Sequence, residues 1–264
     1  MILRFVSVLA LTVAASLSPV AARAAPFCAV APDSVEPLRL VLNVPAARLD
    51  VLEGETLTRS YRVAVGTQDH PTPLGSFRVD RVVWNPWWVP PPFEWAREMK
   101  VTRPGPDNPT GRVKLFFGYY LFIHGTPLEE SLGGPASHGC VRMANADAIA
   151  LARTAHAYGS PDLDPGVLDS LEADPGKTRT IHLTQTIPFS VLYNRIEVRG
   201  GRLLLHPDPY ELAPVDLERV LSVLGAAGVA PPNVDSLVID AALERAARET
   251  ISISLGDLRA PVQP

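Results

Sequence analysis

Cys140 stands in the run Ser137-His138-Gly139-Cys140-Val141-Arg142, sixteen residues beyond His124. His124-Gly125 itself closes the apolar run Tyr119-Tyr120-Leu121-Phe122-Ile123. A free thiol has a pKa of about 8.5, so little of it is thiolate at neutral pH, and a neighbouring imidazole raises that fraction. Two imidazoles are candidates. His138 precedes the cysteine by two residues and shares a face with it in an extended or turn segment. His124 can arrive from another strand, because the apolar run before it reads as a buried strand whose last residue emerges at the sheet edge. Gly139 lets the backbone turn tightly ahead of the nucleophile and leaves the amide N–H groups of Gly139 and Cys140 free to meet an oxyanion. The chemistry expected is acyl transfer by an ionised, accessible sulfur. Thiolate, imidazole and backbone amides supply nucleophile, proton transfer and charge stabilisation, so neither a metal nor an organic cofactor is called for.

Each residue also has a structural reading. A lone cysteine is usually a small buried hydrophobe, and the flanking histidines and glycine are what favour a reactive one. A zinc site needs paired Cys or His at two positions, and Cys28 is the only other cysteine, so no metal is expected. His70, His156, His182 and His206 lie in no comparable setting and read as surface or satisfied core residues. Trp84, Trp87, Trp88 and Trp95, set among prolines, read as packing under a loop in preference to a sugar-stacking platform.

The elements that must position these groups are mostly strands. Twenty-seven prolines, many between short apolar runs, favour a β-rich body with structured loops over a helical bundle. Arg39 to Val44 and Arg48 to Leu52, separated by Pro45-Ala46-Ala47, read as a hairpin, with Leu57 to Val65 as a further strand. Asn145 to Tyr158 has helical spacing and follows the cysteine loop, which it should support. Thr180 to Leu183 and Ser190 to Val198 read as strands, and Gly200-Gly201 turns the chain into Arg202 to His206. Beyond Pro207, Asp216 and Ser236 are placed to cap helices through Val223 and from Leu237 to Arg248, and a helical lid on the β body is the expected arrangement.

The amino terminus sets the compartment. Arg4, an apolar stretch from Phe5 to Leu17 and Ala22-Arg23-Ala24 make residues 1–24 an export signal. That stretch is shorter than the roughly twenty residues of a membrane span, and nothing later is long enough, so no span is expected in the mature chain. Residues 25–37 read as a short linker. The formal charge is −4 and becomes −6 without Arg4 and Arg23; residues 206–264 hold nine acids against four arginines. No basic patch with interleaved aromatics is present, which argues against nucleic acid as a partner. Cys28 is expected to be free, paired between molecules or part of a redox control, since a bond to Cys140 would silence the sulfur.

The run His124-Gly125 with Ser137-His138-Gly139-Cys140-Val141-Arg142 resembles the signature of the L,D-transpeptidases, the YkuD-like enzymes that cross-link peptidoglycan stem peptides. Pro71-Thr72-Pro73-Leu74-Gly75-Ser76-Phe77, Asn85-Pro86-Trp87-Trp88-Val89-Pro90-Pro91 and Gly105-Pro106-Asp107-Asn108-Pro109 resemble three further family segments in the expected order. Many members have Asn two residues after the cysteine; Arg142 there, and the late hairpin, are similar to the Gram-negative periplasmic subgroup. The resemblance implies a β-sandwich or barrel-like catalytic domain over residues 38–184, with one or two supporting helices, followed by a hairpin and helical subdomain over 185–264.

The same resemblance implies that Cys140 attacks a carbonyl, His124 takes the thiol proton and the Gly125 carbonyl orients the imidazole. Ser137 and His138 shape the pocket, and Arg142 meets a substrate carboxylate or braces the loop. The donor implied is a tetrapeptide stem cleaved between its diamino acid and the terminal D-Ala. The acceptor is another stem, a lipoprotein lysine or, in a carboxypeptidase or wall-protein-detaching hydrolase, water. A non-catalytic wall-binding module is the remaining alternative.

Overall fold

The computed structural model describes residues 37–230 and 234–258. The expected export signal, nearly all of the linker and Cys28 lie outside them.

β1 (Leu38–Asn43) and β2 (Arg48–Glu53) form the expected hairpin. Alternation decides which face is core: Leu38, Leu40 and Leu42 are buried while Arg39 and Val41 are half-buried. β3 (Thr56–Gly66) pairs back on β2. The remaining barrel strands are β4 (Gly75–Trp84), β5 (Val113–Gly118), β6 (Leu121–Thr126), β8 (Val141–Ala144) and β9 (Arg179–Leu192), with the short β7 (Pro135–Ser137) added beside β3. Among the described residues the order runs β2-β1-β9-β4-β5-β6-β8-β3, and the β2–β3 pairing closes it into a barrel. Closure removes the exposed edges that an open sheet would leave.

Inside sit Leu40, Leu42, Val63, Val82, Trp84, Leu115, Ile123, Met143 and Phe189, nearly inaccessible to water. Each such side chain contributes roughly 1.5–3 kcal/mol of transfer free energy. α1 (Asn145–Gly159) follows β8 directly and buries Ala148, Leu151, Ala152 and Ala155 against the barrel. Its small side chains let the helix approach the strands closely. α2 (Pro165–Ala173), not anticipated from the sequence, is marked by Asp164, whose side chain accepts from the Gly166 N–H at 2.9 Å, and by Pro165 at its first turn.

The carboxyl-terminal region builds its own small core. β10 (Ile196–Arg199), β11 (Arg202–Leu205) and β12 (Ile251–Ser254) form a three-stranded sheet. α3 (Leu217–Ala226) and α4 (Ser236–Ala246) cover it, enclosing Leu203, Leu205, Val220, Leu224 and Ile239. Asp216 caps α3 as expected, whereas α4 is capped by Asp235 and not by Ser236.

Two expectations are corrected here. The boundary at 184/185 falls inside β9, a single strand where two were expected, so the barrel extends to Leu192. The helices form no lid: they pack on their own sheet, and none of their residues lines the site cavity described below. Ion pairs tie this region to the barrel, with Arg48 meeting Glu197 at 2.8 Å and Arg199 meeting Asp50 at 2.7 Å, and Tyr210 is buried in the barrel's own core.

Candidate active site

β6 and β8 are parallel neighbours, paired Ile123 to Val141 and His124 to Arg142. Cys140 immediately precedes β8, so its side chain emerges on the face that carries Arg142 and His124. His124 lies in the middle of β6, between β5 and β8, and is buried; the expectation of a residue at the sheet edge is not met. Tyr119 and Tyr120 form the β5–β6 turn and are not part of the strand, with Tyr120 in the left-handed region at φ 54°.

A cavity of about 500 Å³ opens on this face. Cys140, His124, Ser137, His138 and Arg142 line it, so the structure brings these expected residues to one place. The His124 Nδ1 lies 2.7 Å from the Gly125 carbonyl oxygen. A carbonyl only accepts, so Nδ1 carries the proton and Nε2 keeps a free lone pair. Gly125 cannot be larger: a Cβ there would sit 2.2 Å from Asn145 Oδ1. Asn145, at the start of α1, accepts from the Arg112 N–H at 2.9 Å and donates to the Thr126 carbonyl at 3.1 Å, clamping β6 beside the imidazole.

The nucleophile loop is held from within. Ser137 Oγ donates to the Cys140 carbonyl at 2.5 Å and accepts from the Gly139 N–H at 3.2 Å. Gly139 has φ 100°, which L side chains rarely adopt, and that accounts for the glycine. The expected oxyanion pair is therefore reduced: the Gly139 N–H is turned onto Ser137 Oγ, while the Cys140 N–H has no hydrogen bond among the described residues. Ser137 acts on the turn more than on the pocket.

The sulfur is less ionised than expected. Burial pushes the Cys140 thiol up to about 11, against the opposing effects of a Phe122 backbone hydrogen bond and the charges of Lys114 and Arg142. Its S–H points to the Tyr120 carbonyl at 3.5 Å. Burial likewise pushes His124 down to about 3, the Gly125 hydrogen bond opposing and Arg142 and Lys114 adding to the fall. The resting pair is a neutral thiol and a neutral imidazole. Such a pair ionises as the sulfur attacks, with the proton passing to Nε2 in the same event.

The far wall of the cavity is the loop between β4 and β5. Asn85, at φ 47°, donates to the Leu171, Asp174 and Lys177 carbonyls, and Asn108 donates to the Pro86 carbonyl, fixing both ends of the wall. Trp95 stacks on His138 with ring centroids 4.0 Å apart and 12° between planes. His70 lies 4.7 Å from the same ring, so the surface reading of His70 omits its place beside the site. Packing describes Trp84, which is fully buried, but Trp88 and Trp95 line the cavity and Trp87 is more than half exposed. His156 and His206 are buried and His182 is exposed.

Lys114, Asn145 and Tyr120 were missed by the sequence reading. A lysine inside Val113-Lys114-Leu115-Phe116-Phe117, a run otherwise apolar, was the available signal for the first. Asn145 acts through side-chain bonds to backbone groups of Arg112 and Thr126, and Tyr120 through its own carbonyl; neither partner set can be read from residue type. Among the described residues no group of three His, Cys, Asp or Glu is arranged to hold a metal, and no helix is long and apolar enough to cross a membrane.

Residues 37–179 match the family model YkuD, the L,D-transpeptidase catalytic domain. The chain is 32% identical over 121 residues to Bacillus subtilis YqjB, which covers 44% of this chain and 64% of that one. It is 31% identical over 127 residues to Escherichia coli YbiS, covering 45% and 41% respectively. Both relatives carry L,D-transpeptidase names, and the chain spans less than two thirds of the length of either. Among solved structures, L,D-transpeptidase 3 from Mycobacterium tuberculosis overlaps 59% of this chain and 60% of its own, with a TM-score of 0.38 and 13% identity.

Proposed function

The chain belongs to the YkuD family of L,D-transpeptidase catalytic domains, and from that premise we propose that it transfers peptidoglycan stem peptides through a thioester on Cys140. One observation carries the reading: Cys140 and His124 open on the same cavity, with the imidazole fixed so that its unprotonated Nε2 is the free nitrogen.

In this reading the sulfur attacks the carbonyl between the diamino acid and terminal D-Ala of a tetrapeptide stem while its proton passes to His124 Nε2. The Cys140 N–H meets the oxyanion. When the intermediate collapses, the C–N bond breaks, the D-Ala amine takes the proton from His124, and a thioester remains. An acceptor amine then attacks that carbonyl and gives its proton to His124, which returns it to the departing sulfur. Arg142, on the cavity wall, is suited to a stem carboxylate by its fixed charge and fork of donors. The export signal read in residues 1–24 delivers the chain, in this account, to the periplasm where such stems lie.

Acceptor choice depends on how well the closed site excludes water. Incubation with defined tetrapeptide muropeptides, followed by mass spectrometry, is expected to give dimers joined through diamino acids. Tripeptides alone would establish a hydrolase. No product together with retained sacculus binding would establish a wall-binding module.

A further inference from the structure

Lys114 has no part in the reaction as described, yet it stands next to the reacting groups. On β5 it is the register partner of His124, which is in turn the partner of Arg142, so three residues form one row across β5, β6 and β8. Residues in register on adjacent strands share a face, the face from which Cys140 emerges. Lys114 is 7% exposed. Its ammonium donates to the Trp87 carbonyl at 3.2 Å and lies 4.9 Å from the centroid of the Phe122 ring. Neither Lys114 nor Arg142 makes an ion pair among the described residues.

A buried ammonium without a carboxylate partner costs folding free energy that an apolar side chain of similar length would not. Such a group beside a nucleophile is more readily explained by its effect on that nucleophile. The ionisable groups near the sulfur are Lys114 from β5, Tyr120 from the β5–β6 turn, His124 from β6, Arg142 from β8, His138 from the nucleophile loop, and Lys100 and Asp107 from the cavity wall. Only Asp107 is a carboxylic acid. We propose that Lys114 is a positioning residue that acts through Cys140, supplying from within the sheet the fixed positive charge that steadies the sulfur as it becomes anionic. Arg142 does the same from the other end of the row. The coupling runs both ways: burial pushes Lys114 down to about 8 while the Cys140 charge draws it back up.

This inference rests on Cys140 being the nucleophile, but its test uses no stem peptide, so the transfer reaction and the role of Lys114 can fail separately. The full chain is alkylated with iodoacetamide between pH 6 and 10, and the rate at Cys140 is followed by peptide-resolved mass spectrometry. Lys114→Met is expected to slow alkylation at pH 7 by about tenfold, the equivalent of one unit of thiol pKa. The deficit should close above pH 9, where the wild-type lysine has itself lost its charge. Lys114→Arg should match the wild-type rate at pH 7 and exceed it at pH 9, because the guanidinium keeps its charge there. A purely structural lysine would give a deficit independent of pH, or none, and either result overturns the proposal. If Lys114→Met does not fold, Lys114→Gln is carried through the same pH series: a deficit at pH 7 that closes above pH 9 is expected, and a deficit independent of pH, or none, would overturn the proposal equally.

Discussion

At the scale of single residues, the site is a neutral pair with cations behind it. Nucleophile and base act as one unit, so Cys140→Ala is expected to abolish turnover and His124→Ala to reduce it on the order of 10²–10⁴-fold. Peptide-release kinetics on folded variants measure both. The pH profile carries more information. Burial holds His124 neutral down to about 3 and the thiol protonated up to about 11, so kcat/KM should show no acid limb between pH 5 and 7. A limb near 6.5 would mean instead that the imidazole titrates freely. Ser137, Gly139 and Cys140 were legible as a motif because their types are rare together. The hydrogen bond from Gly139 N–H to Ser137 Oγ was not, because the same residues could equally have left that amide free.

At the scale of elements, the nucleophile loop is braced by a turn that depends on the carboxyl-terminal region. Gly66 and Thr72 bracket the turn that carries His70 and Pro71, with the Gly66 N–H donating to Thr72 Oγ1 at 2.8 Å. The Tyr210 hydroxyl, buried, accepts from the Thr72 N–H and donates to the Gly66 carbonyl, each at 3.0 Å. Tyr210→Phe leaves two buried backbone groups unpaired and is expected to cost about 1–3 kcal/mol. Urea unfolding measures the loss, and a variant as stable as the wild type would show that the turn holds without this contact. The first hairpin, α1 and both late helices could be read from alternation and helical spacing, since burial of one face imposes those periods. The break expected within β9 was wrong: Thr184-Gln185-Thr186 is polar and falls at a register shift against β4, yet pairing on either side of it, at His182 and Ile187, keeps a single strand. α2 was missed because its nine residues offer little periodicity beyond the Asp164-Pro165 start.

At the scale of the whole molecule, buried neutral histidines make the fold acid-sensitive. Burial lowers His156, which accepts from the Trp84 indole N–H at 3.1 Å, to about 4, and lowers His124 further. Between pH 6.5 and these values the unfolded chain binds protons that the native chain does not, so stability is present above 6.5 and is lost as pH falls. His156 alone is worth about 3 kcal/mol over that window. Guanidinium midpoints should therefore drop between pH 7 and pH 4.5, and less so in His156→Gln; a midpoint constant with pH would contradict the burial of neutral imidazoles. The barrel as a class could be anticipated, but its strand order could not, since the β1–β9, β4–β9 and β3–β8 pairings join segments distant in sequence. The central claim is that Cys140 becomes the acyl carrier. It is tested most directly by quenching the full chain in acid during turnover of a defined tetrapeptide stem and locating the adduct by peptide-resolved mass spectrometry. The account predicts a tripeptide acyl group on Cys140, formed as D-Ala is released and absent in Cys140→Ala. Release of D-Ala at the wild-type rate with Cys140 unmodified throughout, or from the Cys140→Ala variant, would contradict it.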